Sequence, residues 1–287
     1  MRGRAQGQPD EAAPAPQGAP SDERGYAAST DLERAGGSGG RELRGPQAPR
    51  SECPPASPVK LLVVNADDLG YDPEIDRGIL EAHARGLVTS ATAMVETPVA
   101  PAALRSAPAS LGVGLHAVLD PALDADAAER ALRAQLARFE ALRGAPPTHL
   151  DSHKHAHARP AVLGAFVAVA RERGLPVRAI DAPMRQALRT AGVATTGAFL
   201  GDASRRPAWT LEALIVALGS VGDGATELMS HPGYPPSSAR TSFGAEREVE
   251  LRALCHPASR EAVRRAGIAL GTWADVAAAA GGRPTGR

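Results

Sequence analysis

From Lys60 onward, short apolar runs of strand length alternate with longer segments of helical periodicity. The first run is "KLLVVNA", and the segment "PEIDRGILEAHARG" follows it closely. In that segment Pro73 suits a first helical turn and Gly86 suits a helix end. Strands that alternate with helices in this way are typical of a parallel sheet with helices packed on it. The pattern therefore restricts this part of the chain to the α/β class.

Eight segments have the length and composition of strands. After the first they are, in chain order, "TSATAMV", "GVGLHAVL", "THLDSH", "VRAI", "GAFL", "TELMSH" and "IALGT". Between two of them lies the helical segment 124–144, in which four apolar residues recur at helical spacing: Leu132, Leu136, Phe139 and Leu142. This alternation predicts an irregular (β/α) TIM-like barrel in a single domain. An open, doubly wound parallel sheet is the alternative, because the pattern alone separates the two folds poorly.

The two ends of the chain differ in composition from its middle. Residues 1–58 are rich in Ala, Pro, Gly and charged side chains and show no apolar periodicity. Such a segment cannot bury enough apolar surface to compensate for its loss of conformational entropy, so we expect a disordered N-terminal extension. Residues 59–280 form the predicted barrel domain. Residues 281–287, "GGRPTGR", are expected to be a frayed C-terminus.

Composition limits the classes of partner and compartment. The chain has 32 Lys and Arg residues and 32 Asp and Glu residues, so it has no sequence-independent attraction to nucleic acid or to an anionic membrane. No apolar run approaches the ~20 residues that span a bilayer, and the N-terminus lacks the apolar core of a secretory signal. Cys53 and Cys255 lie far apart with no metal-like spacing. We expect a cytoplasmic protein without a structural disulfide, and a homodimer stays open.

Polar residues occur where the predicted strands end. They are Asp67 and Asp68 after the first strand, His116 in the third, Asp151 and His153 at the end of the fourth, and His231 at the end of the seventh. In a parallel barrel the C-terminal ends of the strands converge on one face, where active sites lie. Side chains far apart in the sequence can therefore meet there. The two adjacent carboxylates would repel each other unless a positive charge lay beside them, and a divalent metal ion can provide it.

Five of the eight histidines lie at or just beyond predicted strand ends: His116, His153, His155, His157 and His231. Taken singly, an Asp-Asp pair is more often a solvated turn, and a strand histidine is more often a core residue. Together, however, carboxylate and imidazole suit zinc and related divalent ions. The clustering of these residues on one rim therefore favours a metal site.

A catalytic zinc site generally has three protein ligands and an open position for water. Asp68, His116 and His153 would provide one carboxylate and two imidazoles from three strands. Asp67 would then stay off the metal and accept a proton from the bound water, while His231 would protonate the leaving group. This assignment is the one expected for metal-assisted hydrolysis.

Four motifs, "VVNADDLG", "GLHAVL", "THLDSHKHAH" and "ELMSHPGY", resemble in this order those of the YdjC-like carbohydrate deacetylases, which include chitooligosaccharide deacetylases. The resemblance extends to the closing "GIALGTWADV". It implies an irregular (β/α) barrel that hydrolyses the acetamide of N-acetylglucosamine-type sugars with a divalent metal. It places the metal ligands at Asp68, His116 and His153, the base at Asp67 and the general acid at His231.

The resemblance also suggests residues around this centre. His157 follows His153 by four positions, a spacing similar to the His-x-x-x-His of the wider deacetylase superfamily, and it could be a ligand or contact the substrate. Weaker candidates for substrate contact or for support of the ligands are His155, Arg178 and Asp151, with a surface ion pair as the alternative for Arg178. Mg or Zn is the expected ion, and Co, Ni and Mn stay open because the same donors accept them.

The segment between His116 and His153 holds one predicted helix, whereas family members often have a longer insertion there that helps to cover the sugar. "AVLDPAL" also replaces the polar residues expected after the third strand. These departures suggest a more open pocket, another sugar or a glycolipid. Two other functions stay open, a non-catalytic sugar-binding or regulatory protein and a glycosidase that uses Asp67 with Asp151. The glycosidase would leave the histidine cluster unexplained.

Overall fold

The computed structural model describes residues 59–201 and 207–281. The predicted disordered extension and nearly all of the predicted frayed C-terminus lie outside these ranges, so both stay predictions. The elements are, in chain order, β1 (Lys60–Leu69), α1 (Pro73–Arg85), β2 (Ser90–Ala93), α2 (Ala100–Ser106), β3 (Gly112–Ala117), α3 (Ala125–Arg143), β4 (Leu150–Ser152), a 3₁₀ segment (His153–Ala158), α4 (Pro160–Arg173), α5 (Ala182–Thr190), β5 (Ala198–Leu200), α6 (Leu211–Gly219), β6 (Gly224–Ser230), α7 (Glu246–Cys255), α8 (Pro257–Arg265), β7 (Ile268–Leu270) and α9 (Trp273–Gly281).

The strands form one parallel sheet in the order β4-β3-β2-β1-β6-β5, and β7 also pairs with β1. Beyond β4 the sheet continues through a bridge between Leu150 and Val177, and the amide of Val177 donates to the carbonyl of Ala194 at 3.0 Å. On the other side the amide of Gly197 donates to the carbonyl of Ala225 at 2.6 Å. Parallel hydrogen bonding thus continues around a large part of an irregular barrel. This geometry confirms the predicted TIM-like α/β fold.

The predicted strand over "VRAI" is wrong, because only Val177 forms a bridge there. Pro176 precedes it and has no amide hydrogen to donate to a neighbouring strand. Directly afterwards, Asp181 caps α5, with its carboxylate accepting a hydrogen bond from the amide of Met184 at 2.8 Å. Between the proline and the cap, the chain forms a single bridge instead of a regular strand. The other seven predicted strands are present, with ends shifted by a few residues.

The long helices begin and end where the sequence indicates. The Asp72 carboxylate accepts a hydrogen bond from the amide of Glu74 at 2.9 Å and caps α1. The Asp124 carboxylate does the same for α3 through the amide of Ala127, and Gly144 ends that helix with a left-handed φ of 73°. The predicted apolar face of α3 is turned inward, with these side chains buried: Leu132, Leu136 and Phe139. No helix in the described ranges is long and apolar enough to cross a membrane.

One irregularity of β1 positions the functional residues. This strand continues past its apolar run to Leu69, and both aspartates lie within it, near its C-terminal end. Consecutive residues of a regular strand point to opposite faces of the sheet. Here the pairing register with β2 shifts between Ala66 and Leu69, and Asp68 has a φ of 73°. Because of this bulge, two adjacent side chains can face the same cavity.

Candidate active site

A cavity of about 190 Å³ lies at the C-terminal ends of the strands. Its walls include Asp67, Asp68, His116, His153, His155 and His231. These residues come from or directly follow β1, β3, β4 and β6. The barrel therefore gathers in one place the polar residues that the sequence spreads over most of its length. Asp151, His157 and Arg178 were also predicted for this region, but they are completely buried and do not line the cavity.

Three candidate ligands converge on a single point. The Nε2 atom of His116 and the Nδ1 atom of His153 each lie 3.4 Å from the Oδ1 atom of Asp68. One donor atom from each residue lies within 4.8 Å of the other two. The Oδ1 atom of Asp68 is buried and accepts no hydrogen bond from the described part of the chain. A cation bound by all three side chains would satisfy that oxygen, so these residues fit a divalent metal ion.

A second grouping of possible donors, Asp67, His116 and Asp151, is equally tight. It is a poorer cation site, because the guanidinium of Arg178 already lies against both of its carboxylates at 2.7–2.8 Å. The positive charge would repel an ion placed there. Asp68 has no such contact on its Oδ1 atom, so the first grouping is the better cation site.

His116 is held in position from behind. Its Nδ1 atom lies 2.7 Å from the Oδ1 atom of Asp151, and the Thr92 hydroxyl donates to the other Asp151 oxygen at 3.1 Å. Carboxylates in this position orient the ring of a metal-binding histidine. Burial by itself lowers the pKa of His116, but Asp151 and Asp68 together raise it to about 10. Without an ion, this imidazole is therefore protonated at neutral pH.

Arg178 neutralises one of the two adjacent aspartates. Its Nη1 and Nη2 atoms donate to the two oxygens of Asp67 at 2.8 and 2.7 Å, and the side-chain amide of Asn65 donates to Asp67 at 2.9 Å. Burial by itself raises the pKa of Asp67, but Arg178 outweighs it and holds the pKa well below its usual range. Asp67 is consequently ionised and fixed in direction.

The same guanidinium binds two further carboxylates. Its Nη1 atom lies 2.7 Å from Asp151, and its Nε atom donates to Glu227 at 2.9 Å. Arg178 is fully buried, so the surface ion pair considered for it is wrong. It lies behind Asp67 and does not contact the cavity. Burial, with the repulsion of Asp151 and Asp67, raises the pKa of Glu227 to about 7 despite the attraction of Arg178.

Arg247 neutralises the second aspartate and was not anticipated from the sequence. Its Nη2 atom lies 2.5 Å from the Oδ2 atom of Asp68, and its Nε atom donates to the carbonyl of Phe243 at 2.9 Å. A weak signal existed, because Arg247 precedes the buried Leu251 and Leu254 by four and seven residues on one face of α7. Because other charged residues lie beside Arg247 in the sequence, the buried face of α7 was not recognised. Glu227 was missed because it lies in the middle of β6, away from the strand ends where the candidates were sought.

His231 lines the cavity just after β6. Its backbone amide donates to the buried Glu250 carboxylate at 2.7 Å, and its ring packs 5.0 Å from the ring of Phe243. The residue is half-buried, so its ring can be reached from the cavity. Its backbone is thereby fixed, and its side chain remains accessible to a bound molecule.

The two remaining candidate histidines, His155 and His157, lie in different environments. His155 faces the cavity beside the ring of Phe199, and burial lowers its pKa to about 4. His157 is fully buried, with its Nδ1 atom 2.6 Å from the Ser152 hydroxyl and its ring 5.4 Å from Phe166. Burial lowers the pKa of His157 to about 3, so it is neutral. His157 is therefore placed behind the ligands and away from any substrate.

Comparison with known proteins gives consistent results. The model of the YdjC-like protein family matches residues 61–265. A carbohydrate deacetylase from Geobacillus stearothermophilus is 34% identical over 244 residues, which cover 75% of this chain and 97% of that protein. A chitooligosaccharide deacetylase from Serratia marcescens is 32% identical over 253 residues, covering 76% of this chain and 99% of that protein.

Solved structures show the same architecture. A protein from Enterococcus faecalis V583, described as a candidate cellobiose-phosphate cleavage protein, superposes with a TM-score of 0.69 at 26% identity, covering 76% of this chain and 99% of that one. The Xyl-CE4 domain of a xylanase from the hindgut metagenome of Trinervitermes trinervoides shares the fold, with a TM-score of 0.51 at 8% identity over 79% of this chain and 93% of that one. With a family match over most of the barrel and relatives above 30% identity, the chain belongs to the YdjC-like family.

Proposed function

We propose that this protein is a metal-dependent carbohydrate N-deacetylase. It hydrolyses the acetamide of an N-acetylglucosamine-type amino sugar or oligosaccharide and releases acetate and a free amine. One observation supports this most strongly: an unsatisfied cation-binding group around Asp68 lies next to an ionised carboxylate, Asp67, in the same cavity. The relatives named carbohydrate and chitooligosaccharide deacetylases support the choice of substrate.

Asp68, His116 and His153 would hold the ion. The buried charges around the site favour a cation there, because carboxylates outnumber guanidinium groups: Asp67, Asp68, Asp151 and Glu227 against Arg178 and Arg247. When bound, a divalent cation supplies Lewis acidity that polarises the acetyl carbonyl and lowers the pKa of water. We propose Mg or Zn, while Co, Ni and Mn suit the same donors.

Asp67 would act as the general base. Arg178 and Asn65 orient it, and its lowered pKa keeps it ionised, so both of its oxygens are free of protons. A shift of the base by even an ångström costs rate, because proton transfer needs hydrogen-bond contact. The buried arginine therefore serves catalysis by holding the base, without contacting the sugar.

His231 would act as the general acid. An amide nitrogen leaves poorly unless it gains a proton, and His231 lines the same cavity as Asp67. Its backbone bond to Glu250 limits how far it can move. His155 is positioned to contact the sugar or its acetyl group. In this proposal the water proton goes to Asp67 and the amine receives its proton from His231.

The structure argues against the glycosidase alternative. Asp151 is completely buried and engaged by Arg178, His116 and Thr92, so it cannot reach a glycosidic bond. Among the described residues, the only other carboxylate that lines the cavity is Asp68, which belongs to the proposed cation site, so Asp67 lacks a partner for a glycosidase pair. Acetate release distinguishes the proposed enzyme from a non-catalytic sugar-binding protein. The cytoplasmic location and the homodimer stay predictions.

Acetate release tests the proposal. Purified protein is incubated with N-acetylglucosamine and its short oligomers, with zinc or magnesium and then with a chelator, and its metal content is measured in parallel. The proposal requires metal-dependent formation of acetate in equal amount to new free amine. Sugar binding without any acetate, in protein shown to contain the ion, would instead identify a non-catalytic binding protein.

A further inference from the structure

A second cleft, of about 450 Å³, opens beside the reaction cavity. The two share His153, Lys154 and His155 as a common wall. Sites for drug-sized ligands usually measure about 300–1,000 Å³, so the reaction cavity alone is small for a whole substrate. A substrate that places its acetamide near His153 and extends past this wall enters the second cleft. The cleft is thus a natural continuation of the site.

Most of the exposed surface of this cleft is apolar, although five of its nine lining residues are charged residues or histidines. Val118, Leu119, Pro121 and Ala156 line it, and we call this set the aliphatic groove. Val118 is 39% exposed, which is unusual for a large apolar side chain in the described ranges. Val118, Leu119 and Pro121 belong to the segment in which apolar side chains replace the polar ones expected after β3. An exposed apolar surface next to a reaction centre indicates a ligand that is apolar at that point.

Two charged side chains that line the cleft, Arg159 and Asp120, already have hydrogen-bond partners, whereas His153, Lys154 and His155 belong to the wall shared with the reaction cavity. The Arg159 guanidinium donates to the backbone carbonyls of Asp120, at 3.2 Å, and of Pro121. The Asp120 carboxylate accepts a hydrogen bond from the amide of Ala122 at 2.8 Å. A second sugar ring would need free hydrogen-bonding groups, and usually an aromatic face. No Phe, Tyr or Trp lines the cleft within the described ranges.

The groove is also preformed. The side-chain amide of Gln135, on α3, clamps Val118 from both sides. Its Oε1 atom accepts from the Val118 amide at 2.9 Å, and its Nε2 atom donates to the Val118 carbonyl at 2.8 Å. Gln135 is itself buried. The backbone beneath the exposed valine is therefore fixed without any contribution from its side chain, and that side chain remains available to a ligand.

We propose that the aliphatic groove binds an aliphatic group attached to the amino sugar, so that the preferred substrate is an N-acetylated glycoside with an alkyl or lipid-like aglycone. This inference rests on the proposed deacetylase function and specifies its substrate class. The acetamide would lie in the reaction cavity, the sugar ring near the wall formed by His153 and His155, and the alkyl chain along Val118.

The test compares the methyl and octyl β-glycosides of N-acetylglucosamine. Dissociation constants are measured by calorimetry on metal-loaded Asp67→Asn, in which turnover is suppressed, and kcat/KM is measured on the metal-loaded wild-type protein. We expect the octyl glycoside to bind about tenfold or more tightly than the methyl glycoside, the effect of burying a few methylene groups. The disaccharide N,N′-diacetylchitobiose serves as the polar competitor of similar reach.

Variants of the groove link the preference to Val118. Val118→Asp should abolish most of the octyl-to-methyl preference, and Val118→Thr, which keeps the shape of the side chain, should reduce it. Val216→Asp is the matched control, because Val216 is 74% exposed on α6 and does not line the cleft. Equal binding of the two glycosides, tighter binding of the disaccharide, or a preference that survives Val118→Asp would overturn the proposal.

The outcomes separate this inference from the function on which it rests. Acetate release without an octyl preference would sustain the deacetylase and refute the aliphatic groove. An octyl preference in binding without any acetate release would sustain the groove as a site for an apolar aglycone and refute the deacetylase. Binding is measured apart from turnover so that each result bears on one claim.

Discussion

Arg178 and Asp67 form a fully buried, two-point ion pair, with nitrogen–oxygen distances of 2.7 and 2.8 Å, directly behind the candidate metal site. The same arginine also binds Asp151 and Glu227. Asp151 in turn orients His116, so one guanidinium connects the proposed base to a proposed ligand. Both groups should therefore respond when Arg178 is changed.

Arg178→Lys should lower kcat by about tenfold to a hundredfold, as is usual when a residue supporting a metal site is altered. Lysine keeps the charge but cannot reproduce the two-point contact with Asp67.

Arg178→Met should instead reduce the free energy of unfolding by about 3–5 kcal/mol, because buried carboxylates lose their partner. Acetate-release kinetics and urea unfolding measure the two effects. Arg133→Lys, in an exposed ion pair, is the control. Wild-type rates in Arg178→Lys would disprove the positioning role.

Asp67→Asn and His153→Ala should fail in different ways. The asparagine variant should keep the ion and lose about 10²–10⁴-fold in turnover, since it removes only the base. The alanine variant should lose metal affinity first, with activity partly restored by excess metal. Metal content and rate are measured on the same preparations. If Asp67→Asn turned over sugar at a near-normal rate, another group would have to be the base.

Metal affinity should increase with pH. Burial by itself lowers the pKa of His116, but Asp151 and Asp68 raise it to about 10, so an ion must displace a proton from this ring at neutral pH. The association constant should rise by about tenfold per pH unit between roughly pH 7 and 8.5, with about one proton released. Calorimetry in buffers of different ionisation enthalpy measures both quantities. Asp151→Asn should flatten the dependence, and a pH-independent affinity in the wild-type protein would contradict the prediction.

The contribution of Asp76, on α1, to the stability of the fold should fall as the pH rises towards neutrality. Burial raises the pKa of Asp76 to about 7, although its carboxylate accepts a hydrogen bond from the amide of Gly70 at 2.5 Å. Between the unfolded value of about 4 and this folded value, the folded state binds more protons. The contribution of Asp76 to the free energy of unfolding therefore decreases as pH rises through that window.

Asp76→Asn removes this titration while keeping an oxygen to accept from Gly70. At pH 8 the variant should be more stable than the wild-type protein by about 2 kcal/mol or more, given 1.36 kcal/mol per pKa unit. At pH 4 the advantage should vanish. Urea unfolding of both proteins across this range tests it, and parallel stability curves would show that Asp76 titrates normally in the folded state.

Much of the fold was readable because its signals are local. Strand-length apolar runs, Pro73 and Gly86 at the ends of α1, and the apolar face of α3 each depend on residues near in sequence. "VRAI" misled because its composition fits a strand, whereas it lies between a proline and a helix cap and pairs only at Val177. The composition of a segment indicates whether it prefers to be a strand. It does not indicate whether neighbouring strands offer hydrogen-bonding partners.

The sequence by itself determined the α/β barrel, the family and which polar residues gather at the strand ends, because these follow from periodicity and motif spacing. Only the tertiary structure decided the partners of the two aspartates, Arg178 for Asp67 and Arg247 for Asp68. Those pairs join residues 111 and 179 positions apart. The physical reason is burial: a charge removed from water requires a compensating charge, and folding alone determines which distant arginine comes within reach.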